Sequence, residues 1–253
     1  MKHSFLLIGQ SNAAGRGFLQ EAAPLENSDE KLKMMRNGRW QKMFRPINPD
    51  RSFSGSCLAE SFARAYVNAN PETEACIIPC ADGGTKLNQW MPGEILFENA
   101  VNCAKLAMRT SRLVGVLWHQ GEGDSTEELH GDYAERFAVM MNALRKELGI
   151  PDLPVVVGGL GDFLADYERS EQIGRYYPYV NAQLEKLGRE YPHCRFVSAK
   201  GLGANPDNLH FSAAALEEFG VRYFEEFSKM ELPNNATEQE PMEDSVRTKL
   251  EEL

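Results

Sequence analysis

Five short apolar runs punctuate the chain: residues 4–8 (Ser-Phe-Leu-Leu-Ile), 75–79 (Ala-Cys-Ile-Ile-Pro), 113–118 (Leu-Val-Gly-Val-Leu-Trp), 154–158 (Pro-Val-Val-Val-Gly) and 195–198 (Arg-Phe-Val-Ser). None alternates apolar with polar residues, so each predicts a strand buried on both faces rather than one with a wet side. Between them, apolar residues recur at helical spacing near 57–69, 94–110, 128–148, 170–191 and 212–230. Strands that alternate with helices in this way predict a parallel sheet covered by helices on both faces.

Right-handed crossovers then give a three-layer α/β/α sandwich around a central five-stranded parallel sheet, with a flavodoxin-like strand order. One linker is long. Residues 13–56 are broken by Gly15, Gly17, Pro24, Pro46, Pro49 and Gly55 and carry Trp40 and Phe44. A loop of this length in a compact domain is usually functional or disordered. Its aromatics predict an ordered flap, with a hairpin around Asn37-Gly38, a pair suited to a tight β-turn. The stretch 231–253 differs again, with seven acidic residues against two basic ones, half of the chain's net charge of −10. The chain is therefore read as one domain over 1–230, followed by an acidic extension over 231–253 that is either solvated or a short docking helix.

The acidic balance argues against nucleic acid or an anionic membrane surface as a partner, since both reward clustered Lys and Arg. No apolar stretch approaches the roughly 18 residues that span a bilayer, and the first strand starts at once with no signal-peptide layout. The five cysteines (Cys57, Cys76, Cys80, Cys103, Cys194) follow no metal-ligand or redox spacing. Reduced, buried thiols and a cytoplasmic location are the resulting expectations.

In a parallel α/β sheet, ligands bind beyond the carboxyl ends of the strands. Gly9-Gln10-Ser11-Asn12, Ala81-Asp82-Gly83-Gly84-Thr85 and His119-Gln120-Gly121-Glu122-Gly123-Asp124 each follow a predicted strand, and Asp207-Asn208-Leu209-His210 precedes the last helix. Taken singly, each has a plain reading: a glycine turn, a helix cap, a structural histidine. Together they fill every role of acyl transfer by serine. Ser11 is the nucleophile and His210 the base, and Asp207 is close enough in sequence to orient the ring. The Ser11 amide, the Gly84 amide (or that of Gly83) and the Gln120 side chain are the oxyanion donors. Gln10 and Asn12 flank the nucleophile and, with Trp90, are expected to meet substrate. Trp40, Phe44 and Trp118 are further aromatic candidates, Trp118 fitting the core better.

The motifs Gly-Gln-Ser-Asn, Gly-Gly-Thr…Trp, His-Gln-Gly-Glu-x-Asp and the late Asp-x-x-His, in that order over residues 4 to about 227, resemble the SGNH-hydrolase superfamily. More narrowly they resemble the carbohydrate esterases of family 6 and the sialate O-acetylesterase-like domains. The resemblance implies an α/β/α fold and metal-independent, cofactor-free removal of acetyl groups from sugar hydroxyls. Acetylated xylo- or manno-oligosaccharides and sialate are the candidate substrates. It also makes Glu122 a second candidate for the acid that orients His210. Related lipases and thioesterases would share the triad but need an acyl channel, and a non-catalytic carbohydrate-binding domain is the remaining alternative.

Overall fold

The computed structural model describes residues 1–25 and 30–236. Strand β1 (Lys2–Gly9) runs through the middle of a seven-stranded sheet. The other strands are β2 (Leu32–Arg36), β3 (Arg39–Lys42), β4 (Glu74–Pro79), β5 (Arg112–His119), β6 (Val155–Gly158) and β7 (Cys194–Val197), in the order β3-β2-β4-β1-β5-β6-β7. All neighbours are parallel except β2 and β3.

The five predicted strands keep the flavodoxin-like order, and the sheet is wider by two. The extra pair is the Asn37-Gly38 hairpin of the flap, which adds itself beside β4. Asn37 and Gly38 both have positive φ, 51° and 75°, the conformation that two-residue hairpin turns demand.

The continuous apolar runs follow from two covered faces. Leu6, Ile8, Val116, Trp118, Val155 and Val157 point into one core with helices α3 (Ile95–Met108), α4 (Tyr133–Leu148) and α5 (Glu171–Glu190). Phe5, Leu7, Ile77, Leu117 and Val156 point the other way, against α2 (Leu58–Ala69) and α6 (Ala213–Phe227). On that second face Phe5, Phe62, Tyr66 and Phe227 pack edge to face, with ring centres 4.8–6.1 Å apart except for the stacked pair Phe62 and Tyr66. Helix α4 begins later than its pattern suggests, because residues 125–132 form turns instead.

Where β1 and β5 end side by side, Gly9 lets the backbones meet. It has φ 127°, and a Cβ there would lie 2.1 Å from the His119 carbonyl oxygen. The close approach brings the residues after the two strands to one edge. No helix among the described residues is long and apolar enough to cross a membrane. All five cysteines are unbridged, and Cys103 alone of the five is half-buried rather than buried.

The acidic extension starts within the described residues. Asn235 donates from Nδ2 to the Leu113 carbonyl at 3.1 Å, and the Arg112 guanidinium donates to the Pro233 carbonyl. Residues 237–253, which carry most of its charge, lie outside the described set.

The aromatic cluster carries a direct test. Phe62 is wholly buried, so Phe62→Ala is expected to cost about 3–5 kcal/mol in urea unfolding. A change under about 1 kcal/mol would mean that the face repacks around the lost ring.

Candidate active site

Three loops meet at the carboxyl edge of the sheet. The first leaves β1 through the four-residue helix α1 (Ser11–Ala14). Its N-cap is Gln10, and Ser11 is the first helical residue. The Ser11 hydroxyl is thus not a helix cap; it lies 3.0 Å from His210 Nε2. His210 Nδ1 lies 2.6 Å from Asp207 Oδ2, and the other Asp207 oxygen accepts the backbone N–H groups of Leu209 and His210, both at 3.0 Å.

Asn208 between them has φ 49°. This left-handed position, which Asn tolerates, closes the turn tightly enough for Asp207 to face a ring only three residues on. Burial raises the Asp207 pKa, but its hydrogen bonds from the His210 ring and from the two backbone N–H groups, together with the imidazole's charge, hold it below the ordinary carboxylate value. With Nδ1 engaged by Asp207, Nε2 is the ring nitrogen that faces Ser11.

The candidate acid Glu122 lies elsewhere. It is buried, with Oε1 2.5 Å from Asn12 Nδ2 and 3.4 Å from His119 Nε2. Burial raises its pKa, but the bond and charge of His119 and the bond from Asn12 bring it below the usual value. Asn12, expected to meet substrate, is only 1% exposed. It grips both sides of His210, donating to the Leu209 carbonyl at 3.1 Å and accepting the Phe211 N–H at 3.1 Å. Glu122 therefore reaches the His210 segment through Asn12 and does not touch the ring.

Gln120 also departs from expectation. It is fully buried, and its Nε2 lies among three acceptors: Asp124 Oδ2 at 2.7 Å, the Thr85 carbonyl at 3.1 Å and Gln10 Oε1 at 3.2 Å. Two N–H bonds shared among three acceptors leave no donor for an oxyanion. Gln120 is instead a strut between loops, and Gln10 is part of it, its side-chain oxygen also accepting the Gly123 N–H. Trp90 is core as well, 1% exposed, edge-on to Trp118 and bonded through its indole N–H to Thr85. Trp40 bonds Thr110 near the opposite edge of the sheet, and Phe44 lies under the Arg36 guanidinium.

The glycine loop fares differently at its two positions. Gly83 gives its N–H to Asp50 Oδ2 at 2.8 Å, whereas the Gly84 N–H has no partner among the described residues. Of the two alternatives, Gly84 keeps the open donor; the Ser11 N–H, in the first turn of α1, is likewise unpaired among the described residues.

Flap residues hold this loop in place, and no motif marks them. Asn48 clamps Ala81 by both backbone groups, at 2.8 and 3.0 Å. Arg51 donates to the Gly83 carbonyl at 2.9 Å. Asp50 is the centre of the arrangement: besides Gly83 it accepts Ser54 Oγ at 2.7 Å and both terminal nitrogens of buried Arg16, at 3.0 and 2.7 Å. Arg16 in turn bonds the Gly15 carbonyl, and its own carbonyl accepts Asn205 Nδ2 at 2.9 Å. Asn205 N–H donates to the His210 carbonyl at 2.7 Å. One buried ion pair thus ties the serine, glycine and histidine loops together.

A serine, an imidazole and a carboxylate in one hydrogen-bonded chain at the edge of a parallel α/β sheet define a hydrolase of the SGNH type. Residues 1–229 match the family "Carbohydrate esterase, sialic acid-specific acetylesterase", and the chain belongs to it. It is accordingly a carboxylic ester hydrolase. It is 28% identical over 244 residues to the probable carbohydrate esterase At4g34215 of Arabidopsis thaliana, covering 86% of each chain. The X-ray structure of that Arabidopsis protein superposes with a TM-score of 0.79 at 25% identity, over 90% of this chain and 98% of that one. NanS shares the fold, with a TM-score of 0.71 at 17% identity over 90% and 97% of the two chains. So does a carbohydrate acetylesterase from Xanthomonas citri, at 0.61 and 19% over 87% of this chain and 55% of that one.

The pair at the centre can be probed by pH. The Asp50 pKa is raised by burial, but its bonds from Arg16, Ser54 and Gly83 leave it below the ordinary value overall. Its contribution to stability is therefore complete above the ordinary carboxylate range, about 4, and is lost as the pH falls through the lower folded value. Asp50→Asn leaves Arg16 buried without its counter-charge, at an expected cost of about 3–5 kcal/mol at pH 7. In denaturant melts the gap between variant and wild type should narrow below about pH 4. A gap that is absent at pH 7, or constant with pH, would contradict this account.

Proposed function

We propose that the protein removes O-acetyl groups from a carbohydrate, with Ser11 as the nucleophile and an acetyl-enzyme as the intermediate. The observation that carries this reading is the hydrogen-bonded chain from Ser11 Oγ through the His210 ring to Asp207. His210 Nε2 takes the hydroxyl proton as Ser11 Oγ attacks the acetyl carbonyl. Asp207 holds the ring and stabilises the imidazolium that forms. The Ser11 and Gly84 N–H groups face the oxyanion, a contribution of about 3–4 kcal/mol per donor in comparable sites. The imidazolium returns its proton to the departing sugar alkoxide. Water then attacks the acetyl-enzyme with His210 as base, releasing acetate and restoring Ser11.

The substrate is an acetylated sugar, supported by the family to which the chain belongs. Among such sugars, xylo- and manno-oligosaccharides and sialate are the candidates, and acetate release from acetylated xylan, mannan and O-acetyl sialic acid ranks them. A preference for octanoyl over acetyl esters would instead favour a lipase-type hydrolase.

Ser11→Ala is expected to abolish hydrolysis of p-nitrophenyl acetate with the fold intact by circular dichroism. Retained turnover would refute the assignment. The two carboxylates separate cleanly: Asp207→Asn should lower kcat by about 10⁴, and Glu122→Gln should lower it far less and act mainly on stability. The reverse order would make Glu122 the orienting acid.

A further inference from the structure

We propose that the ring of Phe53 is the platform on which the sugar ring of the substrate stacks, and that this sugar is uncharged. The inference rests on the esterase reading of Ser11. The aromatic residues that the motifs suggest are elsewhere: Trp90 and Trp118 are buried, Trp40 is bonded near the far edge of the sheet, and Phe44 packs under Arg36. Phe53, in the flap, is 68% exposed.

Its location follows from a short series of contacts. The Arg16 guanidinium lies 5.2 Å from the Phe53 ring centre. A Cβ built on Gly83 would come within 2.4 Å of Arg16 Nη2 and 3.4 Å of the Ser11 Cβ. Ring, guanidinium, glycine loop and nucleophile are thus successive neighbours.

The ring is also held in place. Arg16 is fixed by both oxygens of Asp50. Phe53 sits on a tight turn in which Ser54 Oγ donates its one proton to the Asp50 carboxylate at 2.7 Å, lies 2.8 Å from the Arg51 carbonyl, and accepts the Arg51 N–H at 3.0 Å. An apolar ring kept in water forgoes the free energy of burial, and one mounted on the guanidinium that borders the glycine loop is suited to an apolar face of a ligand. A sugar ring offers such a face in its C–H bonds, and its hydroxyls can meet the partly exposed Arg51 guanidinium, which is bonded to the glycine loop at Gly83.

The charge of the sugar follows from the ion pairs. Both guanidinium groups at the glycine loop are paired with carboxylates, Arg16 with Asp50 at 2.7 Å and Arg51 with Asp82 at 2.8 Å. With both charges matched, the platform has no surplus positive charge to favour a carboxylate on the substrate, so it suits a neutral pyranoside.

Steady-state kinetics on an acetylated methyl xyloside and on ethyl acetate, which has no ring, test the platform. Phe53→Ala should lower kcat/KM for the xyloside by about three- to tenfold and leave ethyl acetate unchanged, and Phe53→Tyr should restore the xyloside rate. Equal effects on the two esters, or none on either, would overturn the proposal. So would a larger loss on ethyl octanoate than on the xyloside, which would place the acyl chain on the ring, or a larger loss on O-acetyl sialic acid, which would refute the neutral sugar. Ethyl acetate hydrolysis by wild type and its loss in Ser11→Ala report on the esterase reading separately from the platform.

Discussion

The buried ion pair between Arg16 and Asp50 is the constraint on which the site depends. Its guanidinium and carboxylate are both about 95% buried, and each also bonds the backbone of a different loop. Burying two charges is costly unless the geometry and the remaining hydrogen bonds are good. Here the carboxylate has four donors, and the guanidinium one further acceptor in the Gly15 carbonyl. The pair fixes the glycine loop by taking the Gly83 N–H, and that of Gly84 has no partner among the described residues. An apolar pair of equal volume would fill the space without orienting either amide.

A second polar lattice works from beneath. Asn12 grips the backbone on both sides of His210, Glu122 holds Asn12, and Gln120 joins the Gln10 and Thr85 loops to Asp124. Asp124 is in turn neutralised by Arg136 at 2.8 Å. The motif residues accordingly divide by burial. Those with open valences, Ser11, Gly84 and His210, face the edge of the sheet, and those that are buried hold them there. Rigid support of this kind keeps the Ser11 hydroxyl and the His210 ring within hydrogen-bond distance.

Four of the five predicted strands are legible in the sequence because burial on two faces writes an unbroken apolar run; the fifth, β7, is an edge strand with Arg195 exposed, and its run is the shortest. The hairpin strands are not legible there, since β3 is the half-exposed edge strand and Leu32-Lys33-Met34-Met35-Arg36 beside it mixes charge with apolar residues. Ser11, His210 and Asp207 can be read from motif and spacing because a three-residue turn limits where Asp207 can point. Gln120, Asn12 and Trp90 mislead for one reason: a motif fixes which residue is present, and its contacts decide which way it faces. Asp50 and Arg16 are 34 residues apart, and no local pattern could pair them. Phe53 differs from the flap's other aromatics only by its exposure beside Arg16, a property of the folded chain alone.

The account stands or falls on the reactivity of one hydroxyl. Incubating the protein with a fluorophosphonate and mapping the adduct by peptide mass spectrometry tests it most directly. Modification at Ser11, lost when His210 is replaced by Ala, is the predicted result. An unmodified Ser11, or an adduct on another residue, would contradict the account.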